Sequence, residues 1–399
     1  MAEPFDDAEI DAIRSVTPGC RDELIHLNHA GSSLPPQAVL DAQIAHLHRE
    51  ATIGGYEAAM EAADRDEAVY DSIATMLGAG RRDIARFEHA TAAWNAAFWS
   101  LPFRRGQRII THDHDYGANA VAYLHAAALH DLTIERLPND PSGAVDVEAL
   151  AERLGEPDEV AVVSLAWIPT NGGLINPAAA VGAVTRAAGV PFLLDGCQAV
   201  GQLAIDVDEI ACDFLSGTGR KYLRGPRGTG LLYVRPSILD RIVPAQPDHH
   251  GADWTTLDTY EFAPGATRFE HWEYSHANWL GLGAAVDEAL RLGLDRIQAT
   301  VTRRGDDLRA RLVDLGMTVH DEGRATCGIV TASHPFVDAT SLSEQLRARG
   351  INTSVTHIGS SRFDVERRGL PPMLRLSVHC TTTTDELDRT VATLADLTH

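Results

Sequence analysis

Lysine is almost missing from this chain: residue 221 is the only one, so 33 of its 34 basic residues are arginine. Arginine stays protonated in any protein environment and serves as a plain positive charge. It cannot do what a buried lysine can, which is to lose its proton and attack a carbonyl to form a Schiff base. The one position that has kept an amine is therefore the first place to look for chemistry. Net positive charge is lacking as well, and the formal charge of −22 argues against a nucleic-acid footprint or an anionic membrane surface, both of which need clustered cations. Its plain reading is solubility. Paired cysteines are lacking: Cys20, Cys197, Cys212, Cys327 and Cys380 are odd in number, far apart and without a C-x-x-C pair. Neither a disulfide framework nor a zinc site is suggested. No run of about 18 apolar residues is available to cross a membrane, and the start MAEPFDDAEIDAIRS has no apolar core of signal-peptide length. The sequence predicts a cytoplasmic protein.

With 399 residues, 44% hydrophobic and 23% charged, the chain has the composition of a globular protein longer than one core usually grows, so a large and a small domain are expected. A short acidic helix is predicted over Asp7 to Ser15, and long helical patterns fill residues 37–80. From about 84 to 235, short apolar runs alternate with helical stretches. The strand candidates are Ile84–Phe87, Arg108–Thr111, Thr133–Leu137, Glu159–Leu165, Pro191–Asp195, Phe214–Ser216 and Gly230–Val234. Runs apolar on both faces with helices between them predict an α/β fold, a mostly parallel sheet covered by helices on both faces. Ligands of such sheets gather at the carboxyl ends of the strands.

Each strand end carries something. Ala90-Thr91-Ala92 opens a helix, where free N–H groups and a hydroxyl suit a phosphate, or simply form an ordinary N-terminus. His112-Asp113-His114-Asp115-Tyr116 offers an H-x-H spacing that invites a metal and a Tyr116 ring able to lie on an aromatic ligand. Thr170 sits in a polar turn. Asp195 closes a buried strand, where an acid is costly unless paired with a cation; alone it would read as a helix N-cap. The last strand but one leads into Thr218-Gly219-Arg220-Lys221. Pyridoxal phosphate would account for all of these at once. It needs a lysine for its aldehyde, a carboxylate for its pyridine nitrogen, a donor to its phenolic oxygen, a ring to stack on and a helix terminus for its phosphate.

Four features together are similar to one family. They are Asp195-x-x-Gln198, Lys221 about 26 residues later, the Gly225-Pro226-x-Gly228-x-Gly230 loop, and Leu374-Arg375-Leu376-Ser377-x-His379. The chain resembles the class V aminotransferase group of fold-type I pyridoxal phosphate enzymes, which includes cysteine desulfurases, isopenicillin N epimerase and hercynylcysteine sulfoxide lyase. The resemblance implies a large cofactor-binding domain over 28–280, a smaller C-terminal α/β domain over 281–399, and a segment 1–27 packed with the small domain. It implies that Lys221 forms the Schiff base, that Asp195 pairs with the pyridinium nitrogen, and that Gln198 and Thr170 contact the phenolic oxygen. Ala90, Thr91, Ala92 and Thr218 would hold the phosphate, with Arg220 standing where a histidine is usual. Tyr116 would stack where desulfurases have a histidine. Arg375 would clamp the substrate carboxylate, with His29 on the substrate side. A homodimer with shared sites is implied, Trp272 and Tyr274 reaching toward the partner.

One departure bears on the reaction. Persulfide-forming desulfurases carry a cysteine on the loop ahead of the carboxylate-binding arginine. No cysteine lies between Cys327 and Cys380 here, and the corresponding Thr356–Phe363 segment has hydroxyls and His357. The favoured reading is a lyase that cleaves the C–S bond of an S-substituted cysteine after Cα deprotonation, with transamination or epimerisation as alternatives. A metal-dependent hydrolase built on His112, His114, His249 and His250 is a further alternative, and a binding protein without catalysis another.

Overall fold

The computed structural model describes residues 2–398. The apolar runs of the first half form a seven-stranded sheet, ordered Ile84–Phe87, Gly230–Val234, Phe214–Thr218, Phe192–Asp195, Val160–Ala166, Arg108–His112, Thr133–Leu137. Only Gly230–Val234 runs against the others, pairing antiparallel on both sides; the remaining pairs are parallel. Strand alternation sends neighbouring residues to opposite cores. Leu193 and Phe214 pack with Trp94 and Phe98 on one face, while Leu194 and Leu215 pack in the core that holds Trp279 and Val286 on the other. Both faces of the central strands are therefore covered, which explains their apolar runs, while the edge strand Thr133–Leu137 is largely exposed or half-buried. Truncating a fully buried anchor such as Phe98, which lies between Trp94 and Tyr123, would cost about 3–5 kcal/mol.

The helices Gln37–Ile53, Gly55–Leu77 and His276–Leu292 pack together on one side. The last of these runs unbroken through residue 280, and a side chain at Gly281 would collide with Gln43 and Pro226. The chain therefore stays on the large sheet to Leu292 before the helix Leu294–Asp314 leads away from it. A second, antiparallel sheet follows, ordered Thr318–Val319, Ile329–Ser333, Leu374–Ser377, Ser354–Val355. The first residues join this region: Ile25–His26 pairs with Ile351–Asn352, and Asn28 bridges Ser377. That pairing carries Asn28 to Ala30 up beside Arg375, at the carboxyl ends of the large sheet. An exposed hairpin, Ala252–Thr256 with Thr259–Phe262, follows the Pro-rich stretch. Among the described residues no helix is long and apolar enough to cross a membrane.

Candidate active site

Lys221 is held by a turn that few sequences could make. Strand Phe214–Thr218 ends at Gly219, where any side chain would meet Thr229 and Leu282. Gly225 N donates to Gly219 O at 2.7 Å and Arg224 N to Lys221 O at 2.9 Å. Arg224 takes a left-handed φ of 62°, anchored by its Nε donating to Leu34 O at 3.1 Å. The amine is left 9% exposed. Burial lowers its pKa, and Arg220 and Arg375 add to that, against Cys197 and Asp195. An amine pushed toward its neutral form is a nucleophile and a base.

Arg375, on strand Leu374–Ser377, is 9% exposed as well. Its Nη1 donates to Thr170 O at 2.9 Å and Thr170 Oγ1 at 3.2 Å, and its Nη2 to Asn28 Oδ1 at 3.4 Å. The Nε is buried without a partner. No carboxylate among the described residues lies within salt-bridge distance of it, whereas Arg86, Arg108, Arg309 and Arg368 all have one. Asp195 mirrors this. It is 7% exposed, accepts from Asn119 Nδ2 at 3.0 Å and Cys197 N at 2.9 Å, and has no cation at contact distance among the described residues. Buried charges without counter-charges are expensive, and among the described residues Arg375 and Asp195 are both buried with none at contact distance.

The other predicted residues fall around these. Tyr116 is 38% exposed; desolvation raises its phenol, with Asp195 acting the same way and Arg220 and Arg375 against it. Gln198 Nε2 donates to Ala30 O at 3.1 Å and lies 3.5 Å from Thr170 Oγ1, and its Oε1 is buried without a partner. The helix Ala90–Trp99 starts against Gly230, the residue paired with Thr218. Thr91 is exposed there, Ala90 is buried, and Ala92 N is already taken by His89 Nδ1 at 3.0 Å. Arg220 donates to Thr218 Oγ1 at 3.2 Å. These residues fit pyridoxal phosphate: an amine, an unpaired acid, an orphaned amide oxygen and a hydroxyl-rich cationic end meet in one cleft. His29 stands behind the cleft, bonded to Ser33 Oγ at 3.0 Å and packed on His26 and His379. Trp272 is exposed and stacks on His249. Tyr274 is engaged within its own chain, under Arg86 at 3.4 Å and donating to Asp66 at 3.0 Å.

The H-x-H pair does not act as a unit. His112 Nε2 accepts from Ala166 N at 3.0 Å, and burial keeps that ring neutral. His114 does meet Glu322 and Asp364, with ligand-type atoms within 4.8 Å of one another, but Arg367 and Arg368 already neutralise those carboxylates. His250 pairs with Glu270 instead. Residues that sequence reasoning passed over are Asn28, Asn119, Asp115 and Cys197, and the only signal was the i, i+4 spacing of Asp115 and Asn119 at a helix start. The Thr356–Phe363 segment lies over the site's edge: Asn171 Nδ2 donates to His357 O at 3.4 Å, and a side chain at Gly117 would strike the Gly359 carbonyl. Cys327 and Cys380 are in the core. Burial pushes the thiols of Cys197 and Cys327 up to about 12, so neither is a ready thiolate.

Known proteins resemble this chain in sequence and fold. The chain is 29% identical to a cysteine desulfurase of Dickeya dadantii (strain 3937), over 99% of its own length and 98% of that protein. It is 30% identical to one from Yersinia pestis (strain Pestoides F), over 69% of each. The apo structure of the cysteine desulfurase from Thermococcus onnurineus NA1 superposes with a TM-score of 0.90 at 21% identity, covering 100% of this chain and 99% of that one. The cystine C-S lyase C-DES, in complex with its reaction product cysteine persulfide, does so at 0.83 and 21%, covering 95% and 99%. These likenesses fix the fold as that of the fold-type I enzymes. The aminotransferase class-V family model runs through the lysine turn, the acid strand and the arginine strand alike, matching residues 25–390, and the chain belongs to that family.

Proposed function

We propose that the protein is a pyridoxal-phosphate-dependent lyase that cleaves the C–S bond of an S-substituted cysteine-type amino acid by Cα deprotonation and β-elimination. The observation that carries this reading is the meeting of a lone buried amine, Lys221, with an acid and a guanidinium that lack counter-charges, Asp195 and Arg375. When bound, pyridoxal phosphate supplies an electron sink for negative charge at the amino acid's Cα. Lys221, whose pKa burial lowers, takes the Cα proton onto Nζ. Asp195 holds the proton of the cofactor's ring nitrogen, and Thr170 and Gln198 serve its phenolic oxygen. Tyr116 covers the ring. Thr218, Arg220 and the helix start at Ala90-Thr91 take the phosphate, Ala92 N being already given to His89 Nδ1. Arg375 receives the substrate carboxylate, for which a planar fork is suited.

In the overall reaction the Cα–H and Cβ–S bonds break, the sulfur leaves as a thiol, and one water is consumed to give pyruvate and ammonia. The segment Thr356–Phe363 has no thiol to attack the substrate sulfur; Cys212, Cys327 and Cys380 are buried, Cys20 and Cys197 partly so, and desolvation raises the pKa of all five. This favours release of the sulfur product over capture on the protein, and C-DES, a cystine C-S lyase, is a protein of this fold with that kind of chemistry. We place a second copy of the chain over the groove bordered by exposed Tyr56, Met60 and Trp272. The test is to incubate the holoenzyme with S-alkylcysteines and no keto acid. Pyruvate formed in proportion to thiol supports the lyase; strict dependence on a keto-acid acceptor would replace it with an aminotransferase, and racemised substrate with an epimerase.

A further inference from the structure

Behind Asp195 lies a second buried acid that the reaction does not touch. Asp115 is 1% exposed. Its Oδ1 accepts from Tyr116 N at 2.7 Å and Asn119 Nδ2 at 3.0 Å. Its Oδ2 accepts from Thr111 Oγ1 at 2.5 Å and Tyr123 OH at 2.6 Å, and Tyr123 is bonded in turn to Ser164 Oγ at 2.7 Å. Burial pushes the acid up to about 6, with the donors from Thr111, Tyr123, Asn119 and Tyr116 holding it down. Four donors on one isolated acid form a rigid mount.

The mount has one outlet. Asn119 Nδ2 carries two hydrogens, and they go to two carboxylates: one to Asp115 at 3.0 Å, the other to Asp195 Oδ2 at 3.0 Å. An amide can turn over, presenting its oxygen where its nitrogen was. Here it cannot, because its oxygen would then face both acids. Asp115 therefore adds to Asp195's own preference and holds the nitrogen end of Asn119 toward Asp195. The opposite oxygen of Asp195 is pinned by Cys197 N at 2.9 Å, so Asn119 supplies the remaining protein restraint on the carboxylate plane.

Resting on the reading of the site as a pyridoxal phosphate site, we propose that Asp115 and Asn119 are positioning residues. Asp115 orients the Asn119 amide, and Asn119 fixes the rotamer in which Asp195 meets the cofactor's ring nitrogen. The same carboxylate accepts from the adjoining Tyr116 N, so the stacking ring and the acid share one support.

The test measures binding of added pyridoxal phosphate by its visible absorbance, with turnover not used. Asn119→Ala and Asp115→Ala should each weaken binding by about tenfold or more, the worth of a hydrogen bond to a charged group. Asp115→Ala removes the oxygen that accepts from Asn119 Nδ2 and leaves the amide unmounted. Tyr123→Phe, which keeps the packing and removes one donor from the mount, should act in the same direction by a smaller factor. In an Asp195→Ala background, Asn119→Ala should add less than about twofold, since its path to the cofactor is already cut. Binding by Asn119→Ala equal to that of the unmodified protein would overturn the proposal. So would an equal loss with and without Asp195, which would make Asn119 a merely structural residue. Failure of the unmodified protein to bind pyridoxal phosphate at all would instead sink the reading of the site.

Discussion

His114 and Tyr116 are separated by one residue, yet they belong to charge clusters of opposite kinds. Around His114 every charge has a partner: its ring meets Asp364 at 3.5 Å and Glu322 at 3.4 Å. Arg367 meets Asp113 at 2.8 Å and Asp364 at 2.9 Å, and Arg368 meets Asp364 at 3.3 Å. This knot ties the loop after strand Arg108–His112 to the helix Arg362–Arg368. Around Tyr116, by contrast, Lys221, Arg375 and Asp195 are buried with no opposite charge at contact distance among the described residues. The difference teaches how to tell architecture from function in a chain so rich in arginine. Charges that satisfy one another hold the protein together, and charges that do not are waiting for a ligand that carries the missing signs.

The comparison breaks most severely at Lys221. Lys221→Ala should lower kcat by roughly 10²–10⁴-fold, with the far-ultraviolet circular dichroism unchanged because no ion pair is lost. Next is Arg375→Gln, which keeps a planar donor but removes the charge. It should raise KM for an amino acid tenfold to a hundredfold, the cost of about 1.5–3 kcal/mol for a charge-assisted hydrogen bond, and leave the cofactor absorbance in place. If KM stays unchanged, Arg375 does not hold the carboxylate.

The knot should respond to pH and not to substrate. Burial opposes the charge on His114, but Asp364 and Glu322 outweigh it and raise the imidazole from 6.5 to about 9. A group whose pKa is raised on folding stabilises fully below its unfolded value and loses that contribution as pH climbs through the folded one. The window is therefore pH 6.5 to about 9, and the contribution at its acid end is on the order of 3 kcal/mol. His114→Gln should lower Tm at pH 6 and converge with the unmodified protein near pH 9.5 or above. A constant difference across that range would mean that the histidine is not charged in the fold.

How much of this could be read from the sequence depended on which signal each residue carried. Strands buried on both faces were plain as apolar runs, but their direction was not. Gly230–Val234 is reversed yet fully buried like its neighbours, so nothing in its composition marks it. The hairpin Ala252–Phe262 is exposed at nearly every position and shows no alternation. Lys221 was visible through scarcity, Asp195 through the cost of an acid ending a buried strand, and Arg375 through its motif. Asn119 and Asp115 look like ordinary residues at a helix start, since only the folded chain shows what they hold. The H-x-H spacing misled because one ring turns to a backbone N–H and the other to carboxylates across the domain. Residue types alone do not separate a metal site from a knot filled by Arg367 and Arg368.

The central claim is that the lone amine completes a site for pyridoxal phosphate, and the single lysine makes that claim unusually easy to test. The protein would be incubated with pyridoxal phosphate, reduced with borohydride, digested and mapped by mass spectrometry. The account predicts one stoichiometric pyridoxyl label, on Lys221, and none after Lys221→Ala. An unlabelled Lys221 peptide, or a label confined to the N-terminal amine, would contradict it.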